Sequence, residues 1–296
     1  MAGYLMVHFI GEQNDGEQVY FSVSDDGLYW KDLSIDPVLR SPLGEKGVRD
    51  PFIIKCPNTG KFYIIATDLR MQAGKGWHWA QYEGSKDLIV WESTNLIEWS
   101  EPRSIRVAPD GAGCAWAPES IYDNEKQAFF VFWASMVKLE GDDSAKQRIY
   151  GSYTTDFKTF TAPFVYAEAP NHMIDMNIIY ENGWYYRFVK DETTKRVRMD
   201  KVKELQDKNP IDITVEALDG LVVEGPQAYN LADGRWCLIV DQFGAGKGYL
   251  PLICSNLDKG DFEVVSGRKY DMGKLKKRHG SVIQITDEEL ARIIKD

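Results

Sequence analysis

Arg278-His279-Gly280-Ser281-Val282-Ile283 reads as the opening strand of a β-hairpin, yet the chain ends before a second strand can follow it. The complement lies at the other end. Tyr4-Leu5-Met6-Val7-His8-Phe9 reads as a second strand with no first, and leads into Gln18-Val19-Tyr20-Phe21-Ser22 and the turn from Asp25 to Trp30. β-Branched and aromatic residues suit a pleated, half-buried surface, and the Gly, Asn and Asp clusters between such runs mark turns.

The same two-part cassette occurs four more times, intact. Arg49-Asp50-Pro51-Phe52-Ile53-Ile54 is followed by Phe62-Tyr63-Ile64-Ile65-Ala66, and Trp116-Ala117-Pro118-Glu119-Ser120-Ile121 by Phe129-Phe130-Val131-Phe132-Trp133. Ile174-Asp175-Met176-Asn177-Ile178-Ile179 precedes Trp184-Tyr185-Tyr186-Arg187-Phe188, and Glu224-Gly225-Pro226-Gln227-Ala228-Tyr229 precedes Trp236-Cys237-Leu238-Ile239-Val240. With Asp50, Ala117, Asp175, Gly225 and His279 as equivalent points, the intervals are 67, 58, 50 and 54, and the passage from His279 round to Asp50 is again 67. Third strands are expected at Ser93 to Trp99 and Thr154 to Phe160, and helical periodicity is confined to the last ten or so residues.

Complementary ends are what a closed ring requires, whereas an open solenoid needs polar caps. The pattern therefore predicts an all-β chain, a five-bladed β-propeller over residues 1–296 as one domain, with the two terminal strands sharing one blade. That closure removes the exposed seam. A β-sandwich with coincidental hairpins is the plainer alternative.

Composition narrows function before any motif does. The 296 residues are 44% hydrophobic and 12% aromatic, enough for a large packed core. With 35 basic against 45 acidic residues the net charge is −10, and the one basic run, Lys274 to Arg278, is short, so nucleic acid is not an expected partner. Four scattered cysteines read as free thiols. No signal-like segment or membrane-spanning run is visible, so a cytoplasmic location and no membrane partner are expected.

In a propeller the first strand of each blade lines the central funnel, so Asp50, Glu119, Asp175, Glu224 and His279 should converge on one mouth. Each alone has a bland reading, since Asp-Pro and Glu-Gly-Pro are ordinary turns. Together, in this order and spacing, the strand openings Arg49-Asp50-Pro51, Trp116-Ala117-Pro118-Glu119, Ile174-Asp175, Glu224-Gly225-Pro226 and Arg278-His279-Gly280-Ser281 resemble glycoside hydrolase family 43 along essentially the whole chain. That family comprises five-bladed propeller α-L-arabinofuranosidases, β-xylosidases and arabinanases.

The resemblance implies that Asp50 is the base that activates water, Glu224 the acid that protonates the leaving oxygen, and Asp175 the modulator of that acid. An inverting glycosidase holds its two carboxyl groups about 6.5–9.5 Å apart to admit a water. The acid is expected to stay protonated through burial or a neighbouring carboxylate such as Asp175, and the base to stay charged with help from Arg49. Glu119 could be mistaken for the acid, but the resemblance implies a structural or substrate-contacting carboxylate there.

His279 falls where the family often places a histidine facing a cation, so a structural Ca²⁺ in the central channel is one expectation and a hydrogen-bonded histidine without metal the other. No other histidine has zinc-like spacing. Among the tryptophans near the funnel, Trp77 and Trp116 are expected to stack on sugar, and Asp68 and Arg187 to reach the substrate. What this implies is an inverting, exo-acting hydrolase that releases terminal α-L-arabinofuranose from arabinoxylan or arabinan oligosaccharides. A β-xylosidase, alone or bifunctional, is the nearest alternative, and a non-catalytic carbohydrate-binding propeller the alternative from another class. A retaining fructosidase-like enzyme would need carboxyls about 5–5.5 Å apart, and the Trp-Met-Asn-Asp-Pro opening typical of that group is missing.

Overall fold

A computed structural model of the protein describes residues 3–295. Twenty strands form five four-stranded antiparallel sheets, each a blade. The first strands of the four sequence-continuous blades are Val48–Lys55, Trp116–Asp123, Met173–Glu181 and Glu224–Asn230. The closing blade runs in the order Gly280–Ile285, Gly3–His8, Tyr20–Ser24, Trp30–Asp32, so the last strand of the chain is its innermost. Gly3 pairs with Ile285 and His8 with Gly280 in unbroken register. The ring predicted from the unmatched ends is the ring that forms.

Buried apolar side chains fall into five clusters, one in each gap between neighbouring blades. Period-two alternation sorts each strand between two gaps. Leu5 and Val7 face the Val48–Lys55 blade while Tyr4 and Met6 face the Glu224–Asn230 blade. In the same way Phe129, Val131 and Trp133 fill one gap and Phe130, Phe132 and Ala134 the next. A strand buried on both faces needs no polar alternation, which is why the second strands read as continuous apolar runs.

Side-chain contacts complete the closure. The Ile53 N–H donates to Ser281 Oγ at 2.8 Å, tying the last strand to the first full blade. A Cβ on Gly280 would come within 2.1 Å of the Val7 carbonyl oxygen, so the strands meet this closely only because glycine is there. The C-terminal helix Asp287–Lys295 lies over the seam, with Lys55 Nζ 2.6 Å from Glu289.

The expected third strands lie one element earlier. They are Asp87–Ser93 and Lys146–Thr154, and the quoted stretches are the turns that follow. Ser93 Oγ accepts from the N–H groups of Asn95 and Leu96, and Asn95 Oδ1 from those of Ile97 and Glu98. Thr154 and Asp156 repeat the arrangement on Asp156, Phe157, Lys158 and Thr159. Short polar side chains that satisfy nearby backbone donors compete with sheet pairing and win at a strand's end.

Candidate active site

Each of the four continuous blades carries a β-bulge at the mouth of its first strand. Arg49 faces Thr67 but Phe52 faces Ile65, and the same slip recurs at Trp116/Glu119, Ile174/Asn177 and Glu224/Gln227. The residue after each slip is left-handed, with φ of 51° at Asp50, 46° at Ala117, 53° at Asp175 and 52° at Gly225. For a non-glycine residue this conformation costs about 1–2 kcal/mol. Bulges of this kind re-aim a side chain out of the ladder, and here they turn Asp50 and Asp175 into the funnel. His279 holds the equivalent place on the closing blade without a left-handed backbone.

The imidazole of His279 is the hub. Its Nδ1 lies 3.4 Å from Asp50 Oδ1 and 3.8 Å from Asp175 Oδ1. Burial alone would push its pKa down, but Asp175, Asp50 and Glu119 hold it well above the usual value.

The carboxylates around it differ in state. Burial pushes Asp50 up, yet the hydrogen bond and charge of His279, with Arg49 and the Thr67 hydroxyl (2.9 Å), bring it below the ordinary range. Asp175, which accepts from the Gly225 N–H at 3.1 Å, is pushed by burial up to about 6; His279 and Lys190 oppose that rise and Glu224 and Asp50 add to it. Asp50 is thus a standing anion, as a base requires.

Glu224 departs from expectation. Lys190 Nζ donates to its Oε2 at 2.7 Å and the Arg278 guanidinium to its Oε1 at 3.0 Å. Although burial raises its pKa, these two cations and His279 outweigh that and hold it below the ordinary value. The expectation that Asp175 would keep Glu224 protonated is corrected for the free protein: its nearest neighbours are positive.

Glu224 belongs to a line of alternating charges. Lys195 meets Glu192, Glu192 meets Lys190 at 2.6 Å, Lys190 meets Glu224, Glu224 meets Arg278, and Arg278 Nε donates to Asp241 Oδ2 at 2.5 Å. The line begins at a half-exposed lysine and ends on Asp241, which is fully buried and pushed by that burial up to about 6.

Among the described residues no group of three or more His, Cys, Asp or Glu is arranged to hold an ion. The carboxylates of Asp50, Asp175 and Glu119 all approach the His279 ring, which lies between them.

Asp50, Asp175, Glu224 and His279 line one cavity of about 490 Å³, together with Trp77 and Trp116. The two indoles meet edge to face, 6.1 Å between centroids, with Trp77 48% exposed at the rim. Three expected contacts lie elsewhere. Asp68 is buried at the end of the second strand, where Oδ1 accepts from the Glu45 N–H at 2.8 Å and shapes a loop. Arg187 points to the other side of its strand, pairs with Asp200 at 2.6 Å and borders a separate cavity between two blades. Glu119 sits beneath the mouth, 3% exposed, hydrogen-bonded by Asn177 at 2.7 Å and His279, and burial pushes it up to about 7. Two residues past its bulge, it is not among the residues that line the cavity.

Several residues at the site were not singled out from sequence. Lys190 and Phe243 line the cavity, and the Lys190 ammonium lies 4.4 Å from the Phe243 ring centroid. The one available signal was a lysine near the end of a strand, Trp184–Asp191, that also carries Arg187 and Asp191 among aromatic and apolar residues. Glu12 and Glu17 bury Arg49, the expected support of Asp50, between them at 2.9 Å and 3.0 Å, and Glu17 also accepts from the N–H groups of Met71 and Gln72. That network fixes the loop leading to the short helix Trp77–Tyr82.

Comparison with known proteins agrees with the geometry. An α-L-arabinofuranosidase of Bifidobacterium longum subsp. longum is 29% identical over 210 residues, which is 64% of this chain but 20% of that protein, so the chain spans about a fifth of its relative's length. Two solved structures share the fold. A variant of the GH43 protein BlXynB from Bacillus licheniformis superposes with a TM-score of 0.59 at 16% identity, over 96% of this chain and 56% of that one. A thermostable family-43 glycoside hydrolase gives 0.54 at 15%, over 77% and 74%. The family model described as "Probable glycosyl hydrolase domain", related to glycoside hydrolase family 43, matches residues 1–291, and the chain belongs to that family.

Proposed function

We propose that the protein is an inverting, exo-acting glycoside hydrolase that removes a terminal α-L-arabinofuranose from arabinoxylan or arabinan oligosaccharides. The observation that carries this reading is the convergence of Asp50, Asp175 and Glu224 on one cavity. Asp50, ionised and oriented by Thr67 and His279, takes a proton from a water as that water attacks the anomeric carbon. Glu224 delivers a proton to the departing glycosidic oxygen. Asp175, bonded to the Gly225 N–H, fixes the backbone that carries Glu224. Bond formation and cleavage on opposite faces invert the anomeric centre.

A cavity of about 490 Å³ is at the small end for ligand sites, which suits one terminal sugar with its aglycone at the Trp77 rim. The choice of arabinofuranose is supported by the name of the Bifidobacterium longum relative.

The test is turnover of 4-nitrophenyl α-L-arabinofuranoside, β-D-xyloside and β-D-galactoside by the wild type and Asp50→Asn, with the first-formed anomer read by NMR. Preference for the arabinofuranoside with an inverted product is expected. Preference for the xyloside replaces the sugar and keeps the mechanism. No turnover of these or of arabinoxylan oligosaccharides leaves the carbohydrate-binding reading.

A further inference from the structure

An acid held ionised by two cations cannot give a proton, so one of them must withdraw when substrate arrives. Arg278 is anchored: its Nε is bonded to the fully buried Asp241, and its backbone N–H donates to the Phe9 carbonyl at 3.0 Å. Lys190 is the one able to move. Its ammonium ends a flexible stem and already lies 2.6 Å from Glu192 as well as 2.7 Å from Glu224, so transfer to Glu192 exposes no unpaired charge. Glu192 in turn is steadied by Lys195.

We infer that Lys190 is the positioning residue that sets when Glu224 is an acid: in the free enzyme it is shared between Glu224 and Glu192, and the leaving oxygen of the substrate displaces it wholly onto Glu192. With that cation gone, Glu224 faces Asp175 and Asp241, both of which favour its protonated form, against Arg278 and His279. The proton taken up comes from solvent and passes to the leaving oxygen; no other co-reactant is needed. This rests on Glu224 being the acid.

The pH dependence of kcat/KM reports the free enzyme and that of kcat the bound complex, so the inference makes them differ. Loss of activity with rising pH is loss of the acid's proton. In the wild type this basic limb lies lower in kcat/KM than in kcat. Lys190→Met, which removes an adjacent opposite charge worth about 1–3 pK units, moves the kcat/KM limb up until the two coincide. Glu192→Gln removes the alternative partner and brings the kcat limb down towards that of kcat/KM. Lys190→Arg restores the wild-type order.

These profiles are measured on whichever glycoside of the panel turns over, with thermal unfolding showing that each variant is folded. Should Lys190→Met fail to fold, the Glu192→Gln and Lys190→Arg profiles carry the test alone. Coincident limbs in the wild type, or an unmoved kcat/KM limb in Lys190→Met, overturn the inference. Wild-type turnover by Glu224→Gln overturns the acid assignment beneath it, a separate result.

Discussion

A Cβ built on Gly225 would stand 2.5 Å from Cγ of His279. The fourth blade therefore cannot place a side chain at the bulge position that bears Asp50 and Asp175 in two other blades. Its carboxylate is presented from the preceding position, as Glu224, in register with Arg49, Trp116 and Ile174. One glycine thus offsets the proposed acid from the proposed base.

Gly225→Ala is expected to push the imidazole off Asp50 and Asp175. The left-handed backbone and the clash act together, so a loss of roughly 2–4 kcal/mol is expected, measured by denaturant unfolding, with kcat/KM falling beside it. Ala117→Gly, at the same point of another blade, is the control and should change stability by less than about 1 kcal/mol.

Asp50→Asn and Glu224→Gln should each lower kcat by roughly 10²–10⁴-fold, the usual worth of a general acid or base. Glu119→Gln should cost far less, because that side chain lies under His279, outside the cavity. A ranking with Glu119 above Glu224 in steady-state assays would reassign the acid.

The acid limb of kcat/KM belongs to the base. Asp50 is held below the ordinary carboxylate range, so it stays ionised, and activity is retained, at pH values where an ordinary aspartate has begun to take up its proton. His279→Gln removes the charge and hydrogen bond that lower it, so burial dominates and the limb moves to higher pH. An unmoved acid limb in that variant would mean that His279 does not set the charge on Asp50.

Ser281→Ala removes the acceptor of the Ile53 N–H between the last strand and the first full blade. A buried donor left without a partner costs about 1–3 kcal/mol, which should lower the melting temperature by several degrees with kinetics unchanged once folded. Equal stability to the wild type would show that the ladder from Gly3 to His8 closes the ring unaided.

The ring was legible because its evidence is local and repeated: each cassette carries the same small or turn-forming pair before an apolar strand, and the unmatched ends complete one another. The bulge was legible only as a position. Asp50, Ala117, Asp175 and Gly225 could be aligned by spacing, with Glu224 one residue before the aligned point, but not that all four would be left-handed. Asp68 and Arg187 were misplaced for a related reason. Strand position indicates nearness to the mouth, while period two decides which side a residue faces: Lys190 faces the cavity and Arg187, three residues earlier, faces away. The charge on Glu224 was least legible, since it depends on Lys190 and Arg278 from separate blades, and no spacing along the chain expresses their distances.

Closure by the last strand also bears on biosynthesis. Translation delivers residues from the amino end, and domains assemble as their parts emerge. His279 and Arg278, which hold Asp50, Asp175 and Glu224 in place, leave the ribosome after the other four blades have emerged. A nascent chain with four blades laid down still has an open gap where the imidazole and guanidinium belong, so the site is complete only after the closing strand has been made.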